Sequence, residues 1–444
     1  MTYSFDRYRR VAVVVIATLC GVMVAIAHGA TPAEPRVDAA RLQGTLEQLS
    51  IYGRPADGSF ADGVNRVAYS DADVAGRAYA MDLMRSAGLS PHVDAAGNIT
   101  GTRPGSDASL KAIIIGSHID SVPHGGNFDG QVGSMSAIEV VRALNDHHVT
   151  TRHPLEVTLW SNEEGGPIGS SALVAAIPQE ILDRPFNGVR MRDGLLKIGG
   201  DPDHIAQARR APHSFHAYIE LHIEQGAVLE KAGMPIGVVD GIVSIDEYDV
   251  EVHGLANHAG TTPMPERHDA LLAAAKVVEA VREITTRTPG RQVGTVGRFE
   301  VSPNAPNVIP GLVKLSIEFR DLSDAKIAAL GAETAARLQQ IATDTGTQIS
   351  MTRALHDVPA LADPRIQQKI EAAAKSLGLA TLHLPSGAGH DAQNLAQLGP
   401  MAMIFIPSIG GISHSPKELS RWSDCANGAD VLLRTVLRVD QIDL

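Results

Sequence analysis

Short apolar runs that end in acids or histidines alternate with helical patterns through the first half of this chain, and this alternation constrains the fold most. Between Val37 and Gly241, β-branched runs too short for helices lie between amphipathic segments such as Asp71–Ala87, which ends before Gly88. Strands separated by helices predict an α/β domain with a largely parallel sheet. Ligands of such sheets bind beyond the carboxyl ends of the strands. The clearest predicted strands are Ala112–Ile115, Leu155–Trp160 and Ala217–Leu221.

The middle of the chain has a different pattern. Its order, β-α-β-β-α-β, predicts a small α+β domain inserted into the larger one. The segments are Glu247–His253, Ala270–Arg287, Gln292–Val301, Val313–Arg320, Asp324–Thr345 and Gln348–Arg353. After Leu361 the first pattern resumes, with a helix from Pro364, a strand at Met401–Ile406 and a last helix from Cys425. We predict one domain from residues 35–244 and 354–444 and an inserted domain at 245–353.

Composition narrows the class of protein. A chain of 444 residues exceeds one ordinary core. Its 44% hydrophobic and 20% charged residues are typical of a globular protein. The net charge of −12 argues against a nucleic-acid partner, which would need a basic surface.

The N-terminus has the pattern of a secretory signal peptide. Three arginines between positions 7 and 10 precede the uncharged apolar run Val11–Ala27, and small residues follow. We predict a signal peptide at residues 1–30, cleaved between Ala27 and Ala30, and a periplasmic or secreted mature protein that does not contact the membrane. An uncleaved membrane anchor is the alternative, because the run is at the short limit for a span.

The segment from His118 to Gly130 contains the first candidate metal ligands. A single histidine at a strand end is more often structural. Here Asp120 follows two residues later, where its carboxylate could accept the second ring N–H of His118, an arrangement that fixes a metal-binding imidazole. Asp129 lies in a glycine-rich turn that lets the backbone approach closely and aim the carboxylate inward, although the glycines could also simply make a tight turn.

Further candidates follow other predicted strands. Glu163 and Glu164 are adjacent acids after an apolar strand, which is costly unless something binds them. One of them would be a metal ligand and the other a general base, and a solvated turn is the alternative. His222 also ends a strand, and His414 lies in a loop of small residues after the strand at Met401.

Three histidines and two acids suit zinc, manganese or cobalt better than calcium. Five protein ligands exceed what one catalytic zinc uses. Two ions about 3.5–4 Å apart that share one carboxylate would use all five.

Seven motifs carry a family resemblance that runs from about Val37 to the C-terminus. They are, in chain order, His118–Gly130, Ser161–Gly165, His222–Gly226, Asn257–Met264, Asn307–Gly311, Glu318–Asp321 and Ser386–Ala392. With them the chain resembles the amidase/hydantoinase/carbamoylase branch of the di-zinc peptidase-like hydrolases. That branch includes N-carbamoyl-L-amino acid hydrolases, allantoate amidohydrolases and β-ureidopropionases.

The resemblance implies a di-metal aminopeptidase-like catalytic domain, with residues 245–353 as a lid and dimerisation domain. It implies Glu163 as the general base. An acid usually stands at position 222 in true peptidases, so the histidine there implies carbamoyl or acyl amides as substrates. The implied ligand sets are His118, Asp129 and His222 for one ion, and Asp129, Glu164 and His414 for the other.

Substrate contacts follow from the same resemblance. Arg320 is suited to bind a substrate α-carboxylate, because its planar guanidinium matches that group. Gln225 and Asn307 would hydrogen-bond the carboxylate or ureido group, and the backbone at Gly389 would lie against the substrate. His258 would stabilise the oxyanion, reaching the site from the partner chain of a homodimer.

The predicted function is metal-dependent hydrolysis of the carbamoyl C–N bond of N-carbamoyl-L-amino acids, with two divalent ions per subunit (zinc, or manganese or cobalt). An allantoate amidohydrolase and a hydrolase of N-acyl amino acids or dipeptides are alternatives. A periplasmic binding protein that has lost catalysis is the non-enzymatic alternative, and the presence of Glu163 argues against it, because binding alone needs no base. Most members of the family carry a basic and then an aromatic residue after the paired glutamates; Gly165–Ile168 departs from this, which leaves the side-chain preference open.

Overall fold

The apolar runs form one nine-stranded mixed sheet in a computed structural model that describes residues 34–444. The predicted signal peptide lies outside these residues. The described residues contain seventeen strands, of which eight lie outside this sheet, in one four-stranded sheet and two two-stranded ones. They are β1 His92–Val93, β2 Ile99–Arg103, β3 Ile113–His118, β4 Leu155–Trp160, β5 Pro185–Phe186, β6 Val189–Arg190, β7 Ala217–Ile223, β8 Ile236–Ile242, β9 Ser244–His253, β10 Asn257–His258, β11 Val293–Ser302, β12 Val308–Ile309, β13 Leu312–Asp321, β14 Gln348–Asp357, β15 Ala360–Leu361, β16 Thr381–Ser386 and β17 Met401–Ile406.

The α-helices surround this sheet and a second, smaller one. They are α1 Ala39–Leu49, α2 Asp71–Ser86, α3 Gln131–Asp146, α4 Ile168–Val174, α5 Gln179–Leu182, α6 Met191–Lys197, α7 Val228–Ala232, α8 Ala270–Arg287, α9 Asp324–Thr345, α10 Pro364–Ser376, α11 Asp391–Leu395 and α12 Trp422–Val439. Single 3₁₀ turns occur at Phe60–Asp62, Ile205–Ala208, Met264–Glu266 and Ile409–Gly411. Among the described residues, no helix is long and apolar enough to cross a bilayer.

Four parallel strands form the centre of the large sheet. Its order is β1-β2-β4-β3-β7-β17-β8-β15, and β16 also pairs with β8. Strand β3 runs parallel to β4 and β7, and β17 runs parallel to β7. All four are buried along their length, as expected for strands covered on both faces. Their carboxyl ends therefore lie at one edge of the sheet, which confirms the predicted fold class.

The second sheet is antiparallel, in the order β11-β13-β9-β14. Helices α8 and α9 pack against it over a separate apolar core that includes Val252, Val277 and Phe319. Chain order here is β9-α8-β11-β13-α9-β14, the predicted β-α-β-β-α-β arrangement. Residues 35–444 nevertheless form one compact unit. The role of residues 245–353 as a lid and dimerisation domain stays a prediction.

Several elements were not predicted. Strand β8 contains Gly237, Asp240 and Gly241, and β16 contains Pro385, so neither has a clear strand pattern. Strand β8 forms nevertheless because it hydrogen-bonds to both β16 and β17, and β16 forms because it pairs with β8. Helix α12 begins at Trp422, three residues before the predicted start.

Candidate active site

Asp129 lies between two groups of potential ligands at the carboxyl edge of the central strands. Its Oδ1 is 3.1 Å from His222 Nε2 and 3.7 Å from His118 Nε2. Its Oδ2 is 3.3 Å from His414 Nε2, and that nitrogen is 3.6 Å from Glu164 Oε2. Each of the two groups can present ligand atoms within 4.8 Å of one another. One carboxylate thus has one oxygen facing each group.

Backbone carbonyls orient two of the histidines. His118 Nδ1 is 3.1 Å from the carbonyl of Asp120, and His222 Nδ1 is 2.9 Å from that of Ile223. A ring N–H that donates to a carbonyl leaves Nε2 as the nitrogen with the lone pair that an ion would use, and at His222 this nitrogen accepts the Gly130 N–H at 3.1 Å. Gly130 makes room for the first ring: it has φ 69°, and a Cβ there would lie 2.2 Å from His118 Nε2.

The predicted role of Asp120 is corrected in detail. Its carboxylate is 3.8 Å from His118 Nδ1, and its carbonyl makes the closer contact instead. The carboxylate accepts the backbone N–H groups of Glu163 (3.3 Å) and Glu164 (3.2 Å). A carbonyl at the end of an extended strand lies nearer to the ring, which frees the Asp120 side chain to hold the turn that carries both glutamates.

Positive φ angles occur at three residues of the site. Asn162, Gln225 and His414 have φ of 51°, 58° and 52°. Such backbone is unfavourable outside glycine and often marks functional positions. Gln225 donates from Nε2 to Asp129 Oδ2 at 2.7 Å, and its own backbone N–H donates to Ser408 Oγ.

Burial raises the pKa of both glutamates at the site. Burial raises the pKa of Glu163 well above its ordinary value, although His118, whose Nε2 is 3.6 Å from Glu163 Oε2, opposes this. Burial and the charge of Asp129 raise the pKa of Glu164 to about 7. A carboxyl group with a raised pKa can hold and release a proton near neutral pH, which a general base must do.

The donors at this site fit divalent cations. Burial acts to raise the pKa of Asp129, but the neighbouring imidazoles of His118, His222 and His414 hold it well below its ordinary value. Among the described residues, no lysine or arginine forms a hydrogen bond or ion pair with the side chain of Asp129, Glu163 or Glu164. Buried carboxylates require such compensation. Divalent cations bound by these imidazole and carboxylate side chains would provide it.

A cavity of about 770 Å³ opens over these groups. Asp129, Glu163, Glu164, Gln225 and His414 line it, and so do Gly389 and Arg320. The guanidinium of Arg320 contacts both oxygens of Glu318 (2.7 and 3.1 Å) and donates from Nη1 to the carbonyl of Gly387 at 2.7 Å. Three of its five N–H groups are engaged, so two are available to a ligand.

His258 and Asn307 do not line this cavity. Both are exposed, and they lie together where β10 pairs with β12, with the Ala259 N–H donating to the Asn307 carbonyl. His258 Nδ1 accepts the backbone N–H groups of Gly260 (3.0 Å) and Thr261 (3.2 Å). The remaining ring proton is therefore on Nε2. Within one chain, the structure does not bring these two residues to the other candidates.

Several residues of the site were missed in the sequence. His390 lines the cavity, and burial and the neighbouring His222 hold its pKa well below the ordinary value. It lies within the motif Ser386–Ala392, which is the sequence signal that could have identified it. Glu220, His222 and His390 form a third group of potential ligands, but both oxygens of Glu220 already accept hydroxyl protons. Glu418, four residues after His414, gave no sequence signal that distinguished it from a surface acid.

Comparison with known proteins gives concordant similarities. A model of the peptidase family M20/M25/M40 matches residues 114–438. An N-carbamoyl-L-amino acid amidohydrolase of Geobacillus stearothermophilus is 39% identical over 407 residues, 90% of this chain and 98% of that protein. A ureidoglycolate hydrolase of Arabidopsis thaliana is 35% identical over 91% of this chain and 87% of its own length. The crystal structure of an amidase of the hydantoinase/carbamoylase family from Burkholderia multivorans has a TM-score of 0.84 at 36% identity, covering 92% of this chain and 99% of that one.

Proposed function

The chain belongs to the peptidase family M20/M25/M40, a family of metal-dependent hydrolases, and from this membership we propose that it hydrolyses the carbamoyl C–N bond of N-carbamoyl-L-amino acids. The observation that carries the proposal is the pair of ligand groups around Asp129, with Glu163 beside them at the wall of a cavity. The relatives named for this activity match over nearly their full length.

Two divalent ions bound by these groups, zinc or else manganese or cobalt, would polarise the carbamoyl oxygen and lower the pKa of a water molecule. His118, Asp129 and His222 would hold one ion, and Asp129, Glu164 and His414 the other. The buried histidines at the strand ends fix the geometry of the first group. The loop that carries His414 completes the second.

Glu163 moves the proton. It lies on the turn held by Asp120, and neither ligand group includes it. Its carboxylate would accept a proton from the attacking water and pass it to the leaving nitrogen. The products are the free amino acid, ammonia and carbon dioxide.

Arg320 selects substrates with a free carboxylate. It lines the same cavity as Gly389 and the ligand groups, and two of its N–H groups are unused. Gln225 would hydrogen-bond the ureido group from beside Asp129. The cavity, at about 770 Å³, accommodates a substrate with a sizeable side chain.

The working enzyme would be a homodimer in which each site receives His258 and Asn307 from the partner chain. Support comes from their position: both are exposed, and neither lines the cavity of its own chain. The outward Nε2–H of His258 is a suitable donor to an oxyanion.

A ureidoglycolate-type activity is the second candidate. Its support is the 35% identity to the Arabidopsis thaliana ureidoglycolate hydrolase, close to the 34–36% of several carbamoyl-amino acid amidohydrolases. Both substrate types share a ureido group and a carboxylate, so the same residues would serve. The size of the cavity favours the amino acid derivatives over a two-carbon acid.

The test is a hydrolysis panel on protein stripped of metal and reloaded with Zn²⁺, Mn²⁺ or Co²⁺. The panel contains N-carbamoyl-L-methionine, N-carbamoyl-L-phenylalanine, ureidoglycolate, allantoate, N-acetyl-L-methionine and a dipeptide. The highest kcat/KM should belong to a carbamoyl-L-amino acid, and activity should disappear after chelation. Preference for ureidoglycolate or allantoate would favour the second candidate, and a preference for the dipeptide would contradict both.

The mature protein would act in the periplasm or outside the cell. The support is the basic, apolar and small-residue pattern of residues 1–30. N-terminal sequencing of protein recovered from a periplasmic fraction should begin between positions 28 and 31. Full-length protein in the membrane fraction would favour an uncleaved anchor instead.

A further inference from the structure

A buried acid that no ligand group includes connects the two loops that carry Asp129 and His414. Glu418 Oε1 accepts the backbone N–H groups of Phe128 and Asp129, both at 3.0 Å. Its Oε2 is 2.8 Å from the hydroxyl of Ser413, which is also 3.1 Å from Asp129 Oδ2. One side chain therefore contacts the backbone of the shared ligand and the residue next to His414.

The space around Glu418 is closely matched to it. The residue is 4% exposed. A Cβ at Gly126 would lie 2.1 Å from Glu418 Oε1, so the carboxylate fills the place that any larger residue at 126 would need. The fit indicates that the two segments are packed to keep this carboxylate in place.

The loop that carries His414 depends on such a contact. Its ends are joined by the Ile409 N–H to the Leu419 carbonyl at 2.8 Å, and Glu418 lies at this closed base. His414 itself is on the exposed part, with 53% of its side chain accessible. His118 and His222, by contrast, have 1% of their side chains accessible and end buried strands. The second ligand group is thus the one whose geometry needs an additional hold.

We infer that Glu418 is a positioning residue that fixes the distance between Asp129 and His414 and so sets the affinity of the second group for its divalent ion. The inference rests on the proposed two-ion centre. Ser413 has one hydroxyl proton and two carboxylates within reach. If Asp129 were engaged by cations, that proton would be directed to Glu418, the nearer of the two acceptors at 2.8 Å.

The test measures ion binding directly. Mn²⁺ is titrated calorimetrically into the full chain after chelator treatment. Glu418→Ala should weaken one of two binding events by roughly 10- to 100-fold, the range for loss of a residue that orients a ligand, and weaken the other, to which Asp129 also contributes, by a smaller factor. Glu418→Gln keeps an oxygen that accepts both N–H groups and should restore most of the affinity.

Glu139→Ala is the matched control. Glu139 is also a buried acid, 1% exposed, and it accepts the Asp38 N–H and the guanidinium of Arg41 away from the ligand groups. Its loss should lower the melting temperature without changing Mn²⁺ affinity. Ser413→Ala provides a milder change than Glu418→Ala if that variant folds poorly, and it should weaken the same binding event by a smaller factor.

The outcomes separate the two proposals. Wild-type protein that binds fewer than two ions would refute the two-ion centre and the role of Glu418 together. Two ions in the wild type with unchanged affinities in Glu418→Ala and Ser413→Ala would refute only the positioning role. A loss of affinity in Glu418→Gln equal to that in Glu418→Ala would also refute it, because charge would then matter and hydrogen bonding would not.

Discussion

Mixing two inactive variants tests whether His258 acts across a dimer. Glu163→Gln removes the base, a loss of roughly 10²–10⁴ in rate. His258→Ala removes an oxyanion donor, a loss of roughly 10²–10³. His258 Nδ1 is occupied by the Gly260 and Thr261 N–H groups, so only Nε2–H can serve, and alanine removes all of that contribution.

The expected recovery follows from the arrangement of the sites. If each site takes Glu163 from one chain and His258 from the other, every hetero-dimer has one site with both defects and one with neither. Random assortment of equal amounts makes about half of the dimers hetero-dimers, so about a quarter of all sites should be intact.

The assay compares kcat per chain for the co-refolded mixture with that of each variant alone, after light scattering and differential tagging verify the hetero-dimers. The control mixes Glu163→Gln with the double variant Glu163→Gln/His258→Ala, which leaves no intact site and should recover nothing. If verified hetero-dimers of the two single variants recover nothing either, His258 does not act across the dimer.

Three further predictions concern the ligand groups and the cavity. Glu163→Gln should retain the wild-type metal content by elemental analysis while losing turnover; loss of metal would make Glu163 a ligand. Arg320→Lys should raise KM for carboxylate substrates and hardly affect their amides, because lysine lacks the planar guanidinium with which Arg320 also contacts Glu318. Equal losses for both kinds of substrate would show that Arg320 does not bind the carboxylate. In metal-free protein the pKa values are about 7 for Glu164 and about 9 for His414, where the hydrogen bond to Asp129 is the main cause. Protons compete with ions at these groups, so Mn²⁺ affinity should rise from pH 6 to 9 with proton release, measurable by calorimetry in buffers of different ionisation enthalpy; a flat profile would contradict it.

The sequence pattern was sufficient to predict that polar residues from separate strands lie together, because the carboxyl ends of parallel strands share one edge of a sheet; the assignment of candidate ligands to two ions came from the family resemblance. His118, Glu164 and His222 follow strands that are buried and plainly patterned. The exact contact of Asp120 was not predictable, since a residue two positions after a histidine offers both a carboxylate and a carbonyl at similar reach. The connection from Glu418 to Asp129 depends on how distant segments pack, which local patterns do not encode.

The role of His258 is a second property that local sequence patterns could not predict. Its motif drew attention to it, but the cavity of its own chain does not include it. Whether it contributes to catalysis depends on a second chain, and no periodicity within one chain contains that information.

The ligands around Asp129 come from segments far apart in the chain, and this affects when the centre can form. His118 and Asp129 precede the second sheet, whereas His414 follows it. During synthesis the first group could assemble early, but the second cannot exist until strand β17 has joined β7 and the loop after it has closed. Binding of an ion by the second group would therefore be a late event of folding, and the ions available where folding finishes would be the ones that fill it.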